Sequence, residues 1–175
     1  MEKIIKLVLL FLLFINTLNA KSFEETSGDV LALAIPLSAY GATFYLDDKD
    51  ARMQFYKSYG STMITTMVLK YTVKEERPDG DGDDSFPSGH TSSAFSGASF
   101  IHMRYGFKYA VVPYLAAIYT GYTRVSSDRH YVGDVLAGAF LGGLFSYIFV
   151  EPNKKYTLTP IVDDNFKGIK VSYRF

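Results

Sequence analysis

The sequence predicts an all-α fold: a compact bundle of about five helices, with a signal segment before it and a short C-terminal β-hairpin after it. Three observations carry this. The chain has 175 residues, the size of one domain, and its 48% hydrophobic content can fill a sizeable core. Weakly charged stretches of helical character recur from residue 30 to residue 150. After Glu151-Pro152 the pattern changes from helical to alternating.

The elements follow in order. Lys3 and Lys6 make a basic start, Leu7 to Ile15 is unbroken apolar sequence, and Asn16 to Ala20 is a polar exit of mostly small residues. That is the layout of a secretory signal peptide cut after about Ala20, or of a retained anchor, since Leu18 is bulky for a cleavage site. Either form places the rest of the chain beyond a bacterial inner membrane, facing the periplasm. The expected division is a signal segment over 1–20, a helical domain over 21–152 and a tail over 153–175.

Residues 30–46 are uncharged, with Pro36 among them. Asp50 can cap a helix over 51–73. A Gly/Asp-rich loop fills 78–86, and three more helices are expected over 90–103, 109–122 and 131–150. None reaches the ~20 apolar residues of a clean membrane span, yet all are very apolar for surface helices. A bundle buried in itself or partly in lipid fits both facts. Gly138, Gly142 and Ser146 recur every fourth place and line one face, where a neighbouring helix can come close. In the tail, Ile169, Val171, Tyr173 and Phe175 alternate with Lys170, Ser172 and Arg174, a strand with one apolar face. Residues 157–162 are its expected partner across a turn at 163–167, the hairpin packing on the bundle. A terminal Phe on such a strand is also how outer-membrane barrel proteins end, and although one hairpin cannot close a barrel, outer-membrane association through this tail is the alternative.

Composition removes several chemistries. With no cysteine, there is no disulfide, thiolate nucleophile or Cys-bound zinc. Lys+Arg and Asp+Glu are 18 each, so net charge points to no nucleic acid. The cations that matter must be concentrated locally.

They are. Lys70, Arg77-Pro78, Ser88-Gly89-His90, Arg124, His130 and Asp134 bring cations, imidazoles and a carboxylate into about a third of the chain. A phosphate ester in its transition state spreads negative charge over three equatorial oxygens, which calls for several cations around one point. Lys70 and Arg77 lie seven apart, a spacing that shares a helix face, and Pro78 ends that helix. Arg124 closes another helix, and its fork matches two phosphate oxygens. Ser88 is a natural N-cap, Gly89 admits close backbone approach, and a helix start attracts anions. His90 stands where it could protonate a departing oxygen. His130 and Asp134 are four apart at the start of the last helix, so the carboxylate can orient the ring.

The remaining polar residues read as structural. His102 matches no motif. The histidines lack the spacing of a zinc site, so no metal is expected. Asp79, Asp81, Asp83 and Asp84 begin like a calcium loop, but the sixth place is not glycine and the twelfth is His90. They are expected to be a solvated loop; the alternative is that they shape the mouth of the site or bind a divalent cation that bridges to anionic head groups.

Lys-x6-Arg-Pro, Pro-Ser-Gly-His and Arg-x5-His-x3-Asp, in that order from Lys70 to Asp134, resemble the type 2 phosphatidic acid phosphatase family, which shares its site with vanadium haloperoxidases. Thr123 stands where the family usually has serine and keeps the hydroxyl. The resemblance implies an all-helical bundle and hydrolysis without metal or other cofactor. His130 would attack phosphorus, Asp134 would orient it and His90 would protonate the leaving group. Lys70, Arg77, Ser88, Gly89 and Arg124 would hold the phosphoryl oxygens.

The leading expectation is therefore a membrane-associated lipid phosphatase, at the inner rather than the outer membrane. Its candidate substrates are phosphatidic acid, phosphatidylglycerophosphate, undecaprenyl diphosphate and lipid A. A soluble periplasmic acid phosphatase for small phosphoesters is the first alternative. A vanadate-dependent haloperoxidase is the second, disfavoured by the short chain.

Overall fold

The computed structural model describes residues 23–153, 156–163 and 166–173. The expected signal segment, 1–20, lies outside the described residues. Among the described residues the helices are α1 (Phe23–Tyr45), α2 (Lys49–Val73), α3 (Gly89–Tyr105), α4 (Phe107–Ser126) and α5 (Val132–Phe149). This is the expected all-α bundle. Helix α3 touches each of the other four, which surround it in the order α1, α2, α5, α4.

Residue size explains why α3 is central. Its sequence is rich in Ser, Ala and Gly, so neighbours pack against its backbone. A Cβ on Gly97 would lie 2.7 Å from the backbone of Pro36, inside α1. On the opposite side, a Cβ on Gly142 would lie 2.5 Å from Ser96 N, and one on Gly138 would lie 2.6 Å from Ser88 O. The face of Gly138, Gly142 and Ser146 thus seats α5 on α3, as its spacing predicts. Buried hydroxyls must find partners, because an unpaired buried polar group is costly. Thr66 donates to Ser92 Oγ at 3.0 Å, Ser93 to the Ala32 carbonyl at 2.6 Å and Tyr114 to Ser99 Oγ at 3.2 Å.

The larger apolar side chains in the interior gather at the end away from the motifs. Phe55 and Phe100 meet edge to face, 5.1 Å between centroids, beside Ala39, Ile101 and Val150. Below them Arg104 grips Asp48 with two bonds of 2.8 and 2.6 Å, both residues buried. Asp48 also accepts from Ala51 N at 3.1 Å, so it caps α2 two residues ahead of the expected Asp50.

Many large apolar side chains face outward instead. Leu33 and Leu37 on α1, Ile64 and Val68 on α2, Val112, Leu115 and Ile118 on α4, and Leu136 and Phe140 on α5 are all exposed at helical spacing. Small hydroxyl-bearing residues inside and branched apolar ones outside are the reverse of a water-soluble bundle. Helix packing through small residues is the arrangement used in lipid. Helix α5, with a mean hydropathy of 1.6 over Val132–Phe149, is long and apolar enough to cross a membrane. This corrects the expectation that no segment qualifies.

The fold-class expectation needs a second correction, at the C-terminus. The fold is the helical bundle, and a C-terminal β-hairpin is not supported as part of it. The contacts that hold the bundle run between helices. Extended backbone over Tyr156–Asp163 and Phe166–Tyr173 bonds within itself as a two-stranded ladder, not to the bundle. Alternation gives a segment a preference for extended backbone. Two strands alone are marginal without a surface to pack on.

Candidate active site

Helix α2 delivers Lys70 in its last turn and stops at Val73. Lys74 closes it in the left-handed region at φ 51°, its N–H bonded to the Lys70 carbonyl. Arg77 therefore lies beyond the helix and shares no helical face with Lys70, contrary to the spacing argument. The two meet through Asp84 instead. Arg77 Nε donates to Asp84 Oδ1 at 2.8 Å, and Lys70 Nζ stands 4.0 Å from Oδ2. Lys70 also donates to the main-chain carbonyls of Asp84 and, at 3.4 Å, Ser85. One carboxylate thus gathers two of the expected phosphate-holding cations.

Ser88 caps α3 as its residue type predicts, accepting from Thr91 N at 3.5 Å. Its own N–H donates to the Asp134 carbonyl at 3.0 Å, which fastens the start of α3 to the start of α5. A Cβ on Gly89 would lie 3.7 Å from Lys70 Cε, so this helix start lies beside the lysine.

His130 stands just before α5, since Tyr131 is the N-cap and the helix begins at Val132. Its N–H donates to the Arg124 carbonyl at 3.1 Å, and Arg129 N donates to the same oxygen at 3.0 Å. The ring comes to Asp134 as the four-residue spacing predicts, Nδ1 to Oδ2 at 3.4 Å. Ser85 sits between them, donating to Asp134 Oδ2 at 2.5 Å and lying 3.4 Å from His130 Nδ1. Tyr131 N donates to the same Oδ2 at 2.9 Å. Asp134 is thus buried, hydrogen-bonded and aimed at one nitrogen of His130.

Burial holds the His130 ring down at about 4, with the charges of Lys70 and Arg77 acting in the same direction and Asp134 opposing them. At neutral pH the ring is uncharged and one nitrogen keeps a lone pair. Desolvation pushes Asp84 up, but the Arg77 hydrogen bond and the charges of Arg77 and Lys70 outweigh it and hold the carboxyl below its ordinary range. Glu75 is held above its ordinary range, first by desolvation and then by Asp134.

His90 and Arg124 form a separate group. His90 Nε2 and Arg124 Nη1 approach the same oxygen, Asp29 Oδ1, at 2.9 and 2.8 Å. Arg124 Nη2 donates to the Glu25 carbonyl at 2.6 Å, and Nε to Thr123 Oγ1 at 3.2 Å. The Arg124 fork therefore engages protein groups on every nitrogen, where the sequence had it meeting two phosphate oxygens. The hydroxyl of Thr123 holds that guanidinium in place.

Asp29, Ser85 and Glu75 are absent from the sequence-based set. Asp29 left one trace: it is the last charge before the uncharged run 30–46. The acidic loop is exposed at Asp81 and Asp83, as expected of a solvated loop, and Arg129 pairs with part of it. Arg129 Nη1 binds Asp79 at 3.1 Å and Asp81 at 3.0 Å, while its Nε binds Glu25 at 3.0 Å. His102 bonds to the Tyr114 hydroxyl at 3.1 Å and stays a packing residue.

Known proteins place the chain. A lipid A 1-phosphatase of Porphyromonas gingivalis is 43% identical over 135 residues, which take in 69% of this chain and 30% of the relative. A lipid A 4'-phosphatase of Helicobacter pylori is 27% identical over 96% of this chain and 94% of its own length. The chain thus spans under a third of the first relative and nearly all of the second. The crystal structure of Aquifex aeolicus LpxE shares the fold, with a TM-score of 0.62 over 79% of this chain and 92% of that one, at 22% identity. The family model described as the PAP2 superfamily matches residues 52–156. That stretch is most of the described helical sequence and holds every motif residue from Lys70 to Asp134: the chain belongs to the PAP2 superfamily.

Proposed function

We propose that this protein is a metal-independent lipid phosphatase that works through a phosphohistidine on His130. The observation that carries the reading is the state of His130: buried, uncharged at neutral pH, backed by Asp134 and facing Lys70 and Arg77. Nδ1 is turned toward Asp134, so Nε2 is the attacking atom. Its lone pair forms the N–P bond as the P–O bond to the leaving group breaks. The departing oxygen keeps that electron pair and takes a proton from His90. Water then attacks phosphorus, gives its proton to His90 and releases phosphate and neutral His130. Asp134 stabilises the charge that develops on the ring. Lys70 and Arg77, with the Ser88-Gly89 helix start and Arg124, supply the positive field on the equatorial oxygens.

The outward apolar side chains support a lipid substrate and membrane association. The relatives named lipid A 1-phosphatase and lipid A 4'-phosphatase support a phosphorylated glycolipid as that substrate. The catalytic unit is the stretch 21–152, working on the periplasmic side of the inner membrane.

The test is phosphate release by purified protein in detergent with EDTA present, on lipid A, phosphatidic acid and p-nitrophenyl phosphate. Release from a lipid phosphate, trapping of an acid-labile phosphoenzyme, and loss of both in His130→Ala are expected. Full turnover by His130→Ala would sink the mechanism. Turnover of the small ester alone would replace the lipid reading with the soluble phosphatase alternative.

A further inference from the structure

Asp29 lies outside the three motifs, on a different helix, yet it joins a member of the second motif to a member of the third. Its Oδ1 is 2.9 Å from His90 Nε2 and 2.8 Å from Arg124 Nη1. The packing around it is built for this reach. A Cβ on the neighbouring Gly28 would fall 2.0 Å from Thr123 Oγ1 and 2.6 Å from Arg124 Nη2. Only a residue without a side chain lets α1 press onto α4 closely enough for Asp29 to meet the guanidinium. The Arg124 side chain is 3% exposed, whereas that of His90 is 42% exposed, so one partner is anchored and the other opens to the site.

We propose that Asp29 is a positioning residue for phosphoryl transfer, fixing the tautomer and aim of His90 while it locks Arg124 beside it. An ionised carboxylate only accepts hydrogen bonds, so the His90 nitrogen facing it carries a hydrogen. Nε2–H therefore points to Asp29, and Nδ1 is left as the nitrogen that gives its proton to the departing oxygen. The carboxylate also stabilises the doubly protonated ring, the form that acts as an acid. Arg124 balances the charge of Asp29. This division mirrors the other side of the site, where Asp134 holds Nδ1 of His130 and frees Nε2. Each imidazole thus has its own carboxylate.

The inference rests on His90 being the proton donor, and the test separates the two ideas. An alkyl phosphate of a lipid needs its leaving oxygen protonated, whereas p-nitrophenolate leaves readily without help. In Asp29→Asn, kcat on the lipid phosphate should fall by about a hundredfold, the lower end for loss of general acid catalysis, with a much smaller fall on p-nitrophenyl phosphate. His90→Ala should show the same bias. Asp29→Glu, which keeps the charge, should restore most of the lipid rate. An equal loss on both substrates in Asp29→Asn, or no loss on either, overturns the role of Asp29 if His90→Ala keeps its bias. If His90→Ala shows no bias, the donor assignment itself fails. A nitrogen-15 spectrum of the unsubstituted protein gives an answer that does not depend on a variant folding. The neutral His90 ring should carry its hydrogen on Nε2, and the opposite tautomer overturns the proposal.

Discussion

Acid is the simplest perturbation of the site, and His130 sets what it should do. The ring titrates at about 4 in the fold against 6.5 for a free side chain, with burial as the leading cause. Between those values the unfolded chain takes up a proton that the folded chain refuses. The contribution of this group to stability is therefore fully present above 6.5, declines as pH falls, and is gone below 4. At about 1.4 kcal/mol per unit, the interval is worth about 3 kcal/mol. The assay has two parts. Proton NMR of the histidine Hε1 hydrogens in detergent should show three resonances, one per histidine, and the one lost in His130→Gln should move at about pH 4. Denaturant unfolding from pH 7 to pH 4 should then show His130→Gln losing about 3 kcal/mol less than the parent protein. A His130 resonance that moves near 6.5, with equal pH slopes for the two proteins, would refute the account of a buried, neutral nucleophile.

Two further outcomes follow from packing. Gly142→Ala would put a Cβ 2.5 Å from Ser96 N, so α5 must back away from α3; a loss of about 1–3 kcal/mol is expected, read as a lower unfolding midpoint. Asp48→Ala would strand the buried Arg104 and uncap α2 together, at a cost of about 3–5 kcal/mol in the same measurement, and a midpoint within error of the parent would contradict the role given to this pair.

The helices were legible because residue size and charge mark their interiors. Their ends were less so, and the start of α2 shows why. Asp48 and Asp50 are equal local candidates for the cap, and the choice is made by Arg104, 56 residues along the chain. Within the site, the His130–Asp134 pair and the Ser88 cap could be read directly because both are local in sequence. The pairing of Lys70 with Arg77 was anticipated for the wrong reason: it comes from Asp84 in the returning loop. Asp29 and Ser85 act over 95 and 49 positions respectively, and no periodicity records such contacts. The outward placement of the apolar side chains was hidden for another reason. Outward Leu and Ile and inward Ser and Thr keep the same period as the inverse arrangement, so the pattern does not say which face is dry.

The seam between α3 and α5 has a consequence for how this site can vary. Ser88, which opens the turn proposed to bind phosphate, touches α5 through its main chain twice, at Gly138 and at the Asp134 carbonyl. The gap between α5, which starts just after His130, and the Ser88 turn is therefore a backbone-to-backbone distance, with no rotamer in it to adjust. Under the proposed function it is a fixed gauge for one phosphoryl group. Changes in the rest of the substrate must then be accommodated at the other edges of the site, where α1, α2 and the acidic loop present side chains that can be exchanged without moving the gauge.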